Sequence, residues 1–385
     1  MLSQTLLRTL RVSAPRSRAL STVNIFNNIS QLPFPRLADI DSSPDLVVPQ
    51  NDTLVQILTQ NKVAISFDQL TTLGREFVAA HSDSSDSQVQ LEAWRGRVMS
   101  EFGNNINDMC TVSRLLGKYS PDKAMAFALL KVAAECGDHD AAFNYGIQLS
   151  RGKIMIPGHN SIKAGIVIIK TLSKLGHPMS QVTIAEIMFT SKDLNERTRG
   201  IEMMKKAADD TPVACFKLGE VYRKTNVVPR DISMAKMWHI KSAKRGIAAS
   251  YFTLGVILST GEGVIDKTPD FAGALKMFEL GAAAGNVESM YNAGMYYLEG
   301  KGVKKNAEMA VEYLVLAASQ KFPIALLTLG KLFIEGAEVN RDLKRGRNYL
   351  AIAKECGGAD GFIGKQADMV LDKYKHLEQT QCIIM

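Results

Sequence analysis

The chain has 385 residues, 46% of them apolar and 22% charged, and a formal net charge of +7. These proportions belong to a folded chain, either two or three domains or one long repeat array, and exclude intrinsic disorder. No apolar run reaches the ~18–20 residues of a spanning helix; the nearest, GIVIIKTLSKLG, is broken by Lys170 and Lys174, which excludes a membrane-crossing chain as well.

Residues 1–20 read as a mitochondrial transit peptide. Leu2, Leu6, Leu7 and Leu10 accompany Arg8 and Arg11 as on an amphipathic basic helix, and no acid precedes Asp39. A cationic face of that kind responds to the membrane potential and an apolar face to an import receptor. Arg18 stands two residues before Leu20, a spacing that resembles a matrix-protease site. The implied location is the mitochondrial matrix, with peripheral contact to the inner membrane left open. Arg8, Arg11, Arg16 and Arg18 supply four of the seven net charges, so the remainder carries about +3. That mild excess gives no dominant electrostatic footprint for nucleic acid, and no nucleic-acid partner is expected.

Residues 21–50, with four prolines between Pro33 and Pro49, read as an extended linker and not as a core element. Residues 51–103 hold three stretches of helical periodicity: DTLVQILTQ, FDQLTTLGREFVAAH and QVQLEAWRGRVMSEFG. They predict a small helical N-terminal region.

From residue 104 to 360 the chain repeats itself. A small residue recurs in a first helix at Cys110, Gly146, Ala185, Gly219, Gly255, Gly294 and Gly330. Its counterpart in a second helix is Ala126, Gly165, Gly200, Ala235, Ala274, Ala310 and Gly346, at intervals of 35–39 residues. Glycine inside a helix costs roughly 1 kcal/mol relative to Ala, so its recurrence predicts close approach of paired helices. Four residues before each second-helix position stand Asp122, Ser161, Glu196, Asp231, Asp270, Asn306 and Asp342. All but Glu196 are good N-caps. Gly137, Gly176, Gly246, Gly285 and Gly357 fit the left-handed residue that stops a helix.

The pattern Leu254-Gly255 with GEGV at 261–264, Gly294-Met295-Tyr296-Tyr297 with GKGV at 300–303, and Asp231, Ala235, Trp238, Ala243 and Gly246 resembles the Sel1-like repeats, relatives of the tetratricopeptide repeats. Residues 179–212 lack the glycine turn and depart from the pattern most. The resemblance implies an all-α fold: a right-handed α-solenoid of about seven helical pairs, closed by a capping helix over 361–378 and followed by a tail, 379–385. It also implies a scaffold whose concave groove holds a peptide or a protein partner, with no cofactor and no catalysis.

Chemistry is sparse in the residues themselves. GEGV and GKGVKK follow predicted helices and recur once per repeat, so they read as turns and not as phosphate loops. The six histidines lack ligand spacing and read as solvated surface, and Asp138-His139-Asp140 reads as a turn. Five distant cysteines without a CxxC pair read as reduced thiols. The run RDLKRGR at 341–347 offers Arg341, Lys344, Arg345 and Arg347 as a membrane or partner contact. The last four residues, CIIM, match a prenylation box on Cys382.

Two short segments, LVQILTQNKVAISFDQL at 54–70 and EFGNNINDMCTVSRLL at 101–116, are similar to a family of fungal mitochondrial factors on the matrix side of the inner membrane. That family is needed to export the C-terminal tail of cytochrome oxidase subunit 2. The likeness implies a non-enzymatic assembly factor, with the inner-membrane insertion machinery or an oxidase subunit as partner. Sel1-like arrays with a prenylation box also resemble activators of fungal chitin synthase, which leaves a farnesylated regulator of a membrane enzyme open. A mitochondrial RNA-binding helical repeat is the third alternative.

Overall fold

The computed structural model describes residues 29–34 and 44–374, apart from 61, 62, 64, 82–86, 104, 157, 225, 226, 264, 265 and 359. The transit-peptide segment 1–20, the tail and Cys382 lie outside the described residues. Among the described residues all regular structure is helical, and the chain divides into two compact units between Ala207 and Ala208.

In the first unit a short helix, α1 (Pro44–Val47), falls within the stretch read as a linker, and the three expected N-terminal helices form as α2 (Asp52–Gln60), α3 (Phe67–Ala79) and α4 (Ser87–Glu101). A capping box starts α3: Ser66 Oγ accepts from Gln69 N–H, and Gln69 Oε1 accepts from Ser66 N–H. Its Leu70, Leu73 and Phe77 are buried, and Trp94 of α4 closes over them, donating from Nε1 to the Leu73 carbonyl at 2.9 Å. Repeat pairs follow: α5 (Ile106–Tyr119) with α6 (Ala124–Glu135), α7 (His139–Ser150) with α8 (Ser161–Lys174), and α9 (Pro178–Phe189) with α10 (Leu194–Asp210). One apolar core runs from Ile29 to Ile184.

The proline-rich stretch departs from the expected linker. Ile29, Phe34, Val47 and Val48 are buried in that core, and Ser120 Oγ donates to the Val47 carbonyl at 2.7 Å. Pro44 opens the short helix α1, where its missing N–H is not needed, and Val47 and Val48 at its end enter the core.

The second unit holds α11 (Pro212–Arg223) with α12 (Ile232–Lys244), α13 (Ala248–Thr260) with α14 (Phe271–Ala283), α15 (Val287–Glu299) with α16 (Ala307–Ser319), and α17 (Pro323–Glu335) with α18 (Leu343–Gly357). The helix expected to close the array is α19 (Phe362–Lys373), which buries Gly364, Ala367 and Val370. Residues from 375 onward lie outside the described residues.

The small positions do two different jobs. At Gly165 an added Cβ would stand 2.4 Å from the Gly146 carbonyl oxygen and 2.5 Å from the Ser150 nitrogen, so backbone meets backbone. Elsewhere the first-helix glycine makes room for a large side chain of the second helix: His239 against Gly219, Phe278 against Gly255, Leu314 against Gly294 and Leu350 against Gly330. In all four pairs that side chain stands four residues after the second-helix small residue, one helical turn on. The second glycine of the turn joins neighbouring repeats, Gly263 lying against Ile232 and Gly302 against the backbone of Phe271 and Ala272. The glycine motifs are therefore turns, with positive φ at Gly261, Gly263, Gly300 and Gly302.

Asp231, Asp270, Asn306 and Asp342 cap their helices as expected. Asp122 accepts from Ala124 N–H, one residue ahead of the formal cap position. Ser161 and Glu196 do not cap. Asn160 caps α8, Ser161 instead accepting from Ile156 N–H, and Asp193 accepts from Asn195 N–H ahead of Glu196. Asn160 stands five residues before Gly165, so α8 starts one residue earlier relative to its small residue than an offset of four assumes. Gly137, Gly176, Gly246 and Gly285 stop helices with φ near +90°, but Gly358, not Gly357, takes that role after α18; Gly357 is the last helical residue, packed on Ile363.

At the equivalent stop after α16 stands Lys321, with φ of 58°. A non-glycine residue there costs roughly 1–2 kcal/mol, part of which glycine's greater unfolded-state freedom offsets. Lys321→Gly is expected to stabilise the second unit by about 0.5–1 kcal/mol in urea denaturation followed through Trp238. An unchanged midpoint would show that the lysine is not strained.

Candidate functional site

Two first helices of the first unit line a groove of about 1200 Å³. From α5 come Asn107, Cys110, Arg114 and Lys118, and from α7 come Asp140, Asn144 and Gln148. Each set follows helical spacing and so forms one stripe. The opposite stripes are apolar: Met109, Val112 and Leu116 of α5, and Tyr145 and Leu149 of α7, are buried. That amphipathy turns the polar stripes outward and fixes the groove between them. Lys123, Lys153 and the exposed Met155 stand at one end, while Phe127 and Leu130 of α6 add apolar lining.

Of the three lining carboxylates Asp122 adjoins Lys123 in the chain. Asp138 and Asp140 lie beside Cys110, where burial first and Asp138 next push the thiol up to about 11. Cys110 is therefore a thiol at neutral pH and no nucleophile. All three lining carboxylates are engaged by the protein itself: Asp122 accepts from Ala124 N–H at 2.8 Å and Asp138 from Ala141 N–H at 2.6 Å. Asp140 Oδ1 lies 2.9 Å from His177 Nε2. Among the described residues the cations form no ion pair. Arg114 donates to the Cys110 carbonyl at 3.3 Å and to Thr111 Oγ1 at 3.2 Å.

The basic run 341–347 is placed differently from what a free patch requires. Arg341 Nη2 donates to the Glu335 carbonyl at 3.1 Å, at the negative end of α17, and the Arg345 guanidinium lies 4.4 Å over the Phe333 ring. Lys344 is exposed and Arg347 half-buried. The run belongs to the second unit and the groove to the first.

Two histidines correct the solvated-surface expectation. His177 is buried and caps α9 through Nδ1, which accepts from Ser180 N–H at 3.2 Å. His239 is fully buried beneath Gly219, with Nε2 3.5 Å from Glu220 Oε1. His239 chiefly, then Arg223 and Lys224, hold the Glu220 carboxyl well below the usual carboxylate range against its partial burial. Spacing reveals ligand sets, but it does not reveal which helix lies across a histidine. Among the described residues no three His, Cys, Asp or Glu side chains gather as a metal site needs, and no helix is long and apolar enough to cross a membrane.

The Sel1 repeat family model matches residues 113–138, 212–247, 248–286, 287–322 and 323–358. The chain carries five Sel1 repeats. The match leaves out residues 139–211, which hold α7 to α10. A protective antigen of uropathogenic Escherichia coli displaying an SLR fold is 17% identical with a TM-score of 0.51, covering 99% of this chain and 82% of that one. At that identity the likeness shows the fold alone. An uncharacterized protein of Neisseria meningitidis is 22% identical over 286 residues, 65% of this chain and 58% of its own. Chitin synthase regulatory factor 3 of Schizosaccharomyces pombe is 29% identical over 144 residues, 35% of this chain and 15% of its own. The chain thus spans only part of the length of the curated relatives that it matches.

Proposed function

We propose that this protein is a non-catalytic adaptor that works in the mitochondrial matrix and holds a segment of a partner protein. The observation that carries the adaptor reading is the groove between α5 and α7, whose polar stripes face outward while their opposite faces hold the core. Stacked repeats form such a surface before binding, so little conformational entropy is lost on association. The matrix location rests on the basic, acid-free N-terminal sequence.

The most specific form of this reading, an oxidase assembly factor, rests on segments 54–70 and 101–116. Leu54, Leu58, Leu70, Met109, Val112 and Leu116 of those segments are buried, so much of the likeness falls on packing positions and says little about the partner. A second reading, a farnesylated regulator of a membrane enzyme, draws on the CIIM terminus and the name of the fission-yeast relative.

Intact mass and terminal peptide mapping of the native protein separate the two. The matrix reading expects loss of about twenty N-terminal residues and an unmodified Cys382. An intact N-terminus with a farnesylated, trimmed Cys382 would overturn it. Gene deletion then tests the specific form: cytochrome oxidase activity should fall, and normal respiration would sink the oxidase assignment.

A further inference from the structure

Resting on the adaptor reading, we infer that the groove between α5 and α7 takes an extended acidic peptide, seated with its carboxylates at the end formed by Lys118, Lys123 and Lys153. Charge is the first argument. Lys118, Lys123, Lys153 and Arg114 are exposed and form no ion pair among the described residues. Lys118 Nζ lies only over the Tyr119 ring, 5.0 Å from its centroid. The three carboxylates are already bonded within the protein, two of them as helix-start acceptors. A ligand bringing carboxylates to the lysine end therefore gains charge pairs without breaking any.

The amides are the second argument. Asn107, Asn144 and Gln148 line the same groove, and Gln148 Oε1 is buried with no hydrogen-bond partner among the described residues. A buried acceptor left unpaired is costly, and a turn of the Gln148 amide into the groove lets a peptide N–H supply the missing donor. A small inorganic anion offers that acceptor nothing. From Asp140 to Gln148 the α7 stripe runs roughly 12 Å at ~1.5 Å per residue, the length of about four extended residues. Phe127 and Met155 provide apolar contact for an intervening side chain. Phe127 is the one aromatic among the lining residues, which is too little to stack successive nucleic-acid bases.

The test uses the full chain and a fluorescein-labelled peptide of about ten residues, with Glu and Asp alternating with Leu and Ser. Anisotropy should show binding of this peptide, weakening with salt, and none of its counterpart with Lys at each acidic position. Lys118→Glu with Lys153→Glu should weaken binding about tenfold or more, and Gln148→Ala should weaken it less. Arg345→Glu, in the other unit, should leave it unchanged. Both charge reversals fall on exposed side chains, and circular dichroism checks that the helices persist. Equal binding of the acidic and basic peptides, unchanged binding by the charge-reversed variant, or displacement by oligouridylate at lower concentration than by unlabelled peptide would overturn the assignment. Crosslinking in cells separates this from the adaptor reading. A partner captured equally by wild type and the Lys118→Glu, Lys153→Glu variant leaves the adaptor standing and removes the groove.

Discussion

Gly165→Ala is expected to destabilise the first unit by about 2 kcal/mol or more, while Gly96→Ala is expected to stabilise it by roughly 0.5–1 kcal/mol. Both glycines are helical, and propensity alone makes both changes favourable. At Gly96 an added Cβ meets nothing within 4 Å, so propensity decides the sign. At Gly165 it would stand 2.4 Å from the Gly146 oxygen, 2.5 Å from the Ser150 nitrogen and 2.8 Å from Leu149 Cβ. Two of these are backbone atoms that no rotamer change can move. The whole of α8 must shift from α7, losing contact along the pair. The chain holds two tryptophans, Trp94 in the first unit and Trp238 in the second, so a Trp238→Phe background makes fluorescence report the first unit alone. Urea midpoints then compare the two glycines directly. A neutral Gly165→Ala would mean that α7 and α8 do not meet at these positions.

The opposite signs show what a sequence discloses. The recurrence of Gly146, Gly219, Gly255, Gly294 and Gly330 marks the helix pairs because glycine is unfavourable there unless something presses on it. The partner that presses was not legible. His239 and Phe278 occupy equivalent places under Gly219 and Gly255, yet one is polar and the other apolar, so no shared residue type flags the position. Caps were readable where the cap stands four residues before the small residue, as at Asp231 and Asp342, and misplaced by one residue at Asn160, which stands five before Gly165. The groove escaped the sequence for a different reason. Arg341 to Arg347 attract attention because they are contiguous, and two of them turn out to serve a helix end and an aromatic ring. Lys118 and Lys153 are 35 residues apart, and only the packing of α5 beside α7 brings them to one end of a groove.

Glu135→Ala is expected to be the most damaging single change in the first unit, costing about 3–5 kcal/mol. Lys131 is 1% exposed, and its ammonium bonds to Glu135 Oε1, whose side chain is 2% exposed. Arg95 Nε bonds to the other carboxylate oxygen at 2.6 Å. Lys131 Nζ also lies 4.3 Å over the Phe34 ring, which ties the buried N-terminal segment to the first repeat pair. Removing the carboxylate leaves an ammonium in the core with only a ring face opposite it. The desolvation of that charge, and not the strength of the pair, sets the magnitude. Lys131→Met should cost less, because Glu135 keeps Arg95, which reaches solvent with 35% of its side chain exposed. The double change Lys131→Met, Glu135→Leu should recover most of the loss, since apolar groups of similar size replace a buried pair at little cost. Glu135→Leu alone, with Lys131→Met and the double change, forms a double-mutant cycle read through Trp94, whose ring centroid lies 6.0 Å from that of Phe34. A coupling below about 1 kcal/mol would show that water reaches Lys131 and that the cluster is an ordinary surface pair. A large coupling would identify it as the clasp that holds residues 29–34 in the core, and amide exchange in those residues should then quicken with Glu135→Ala.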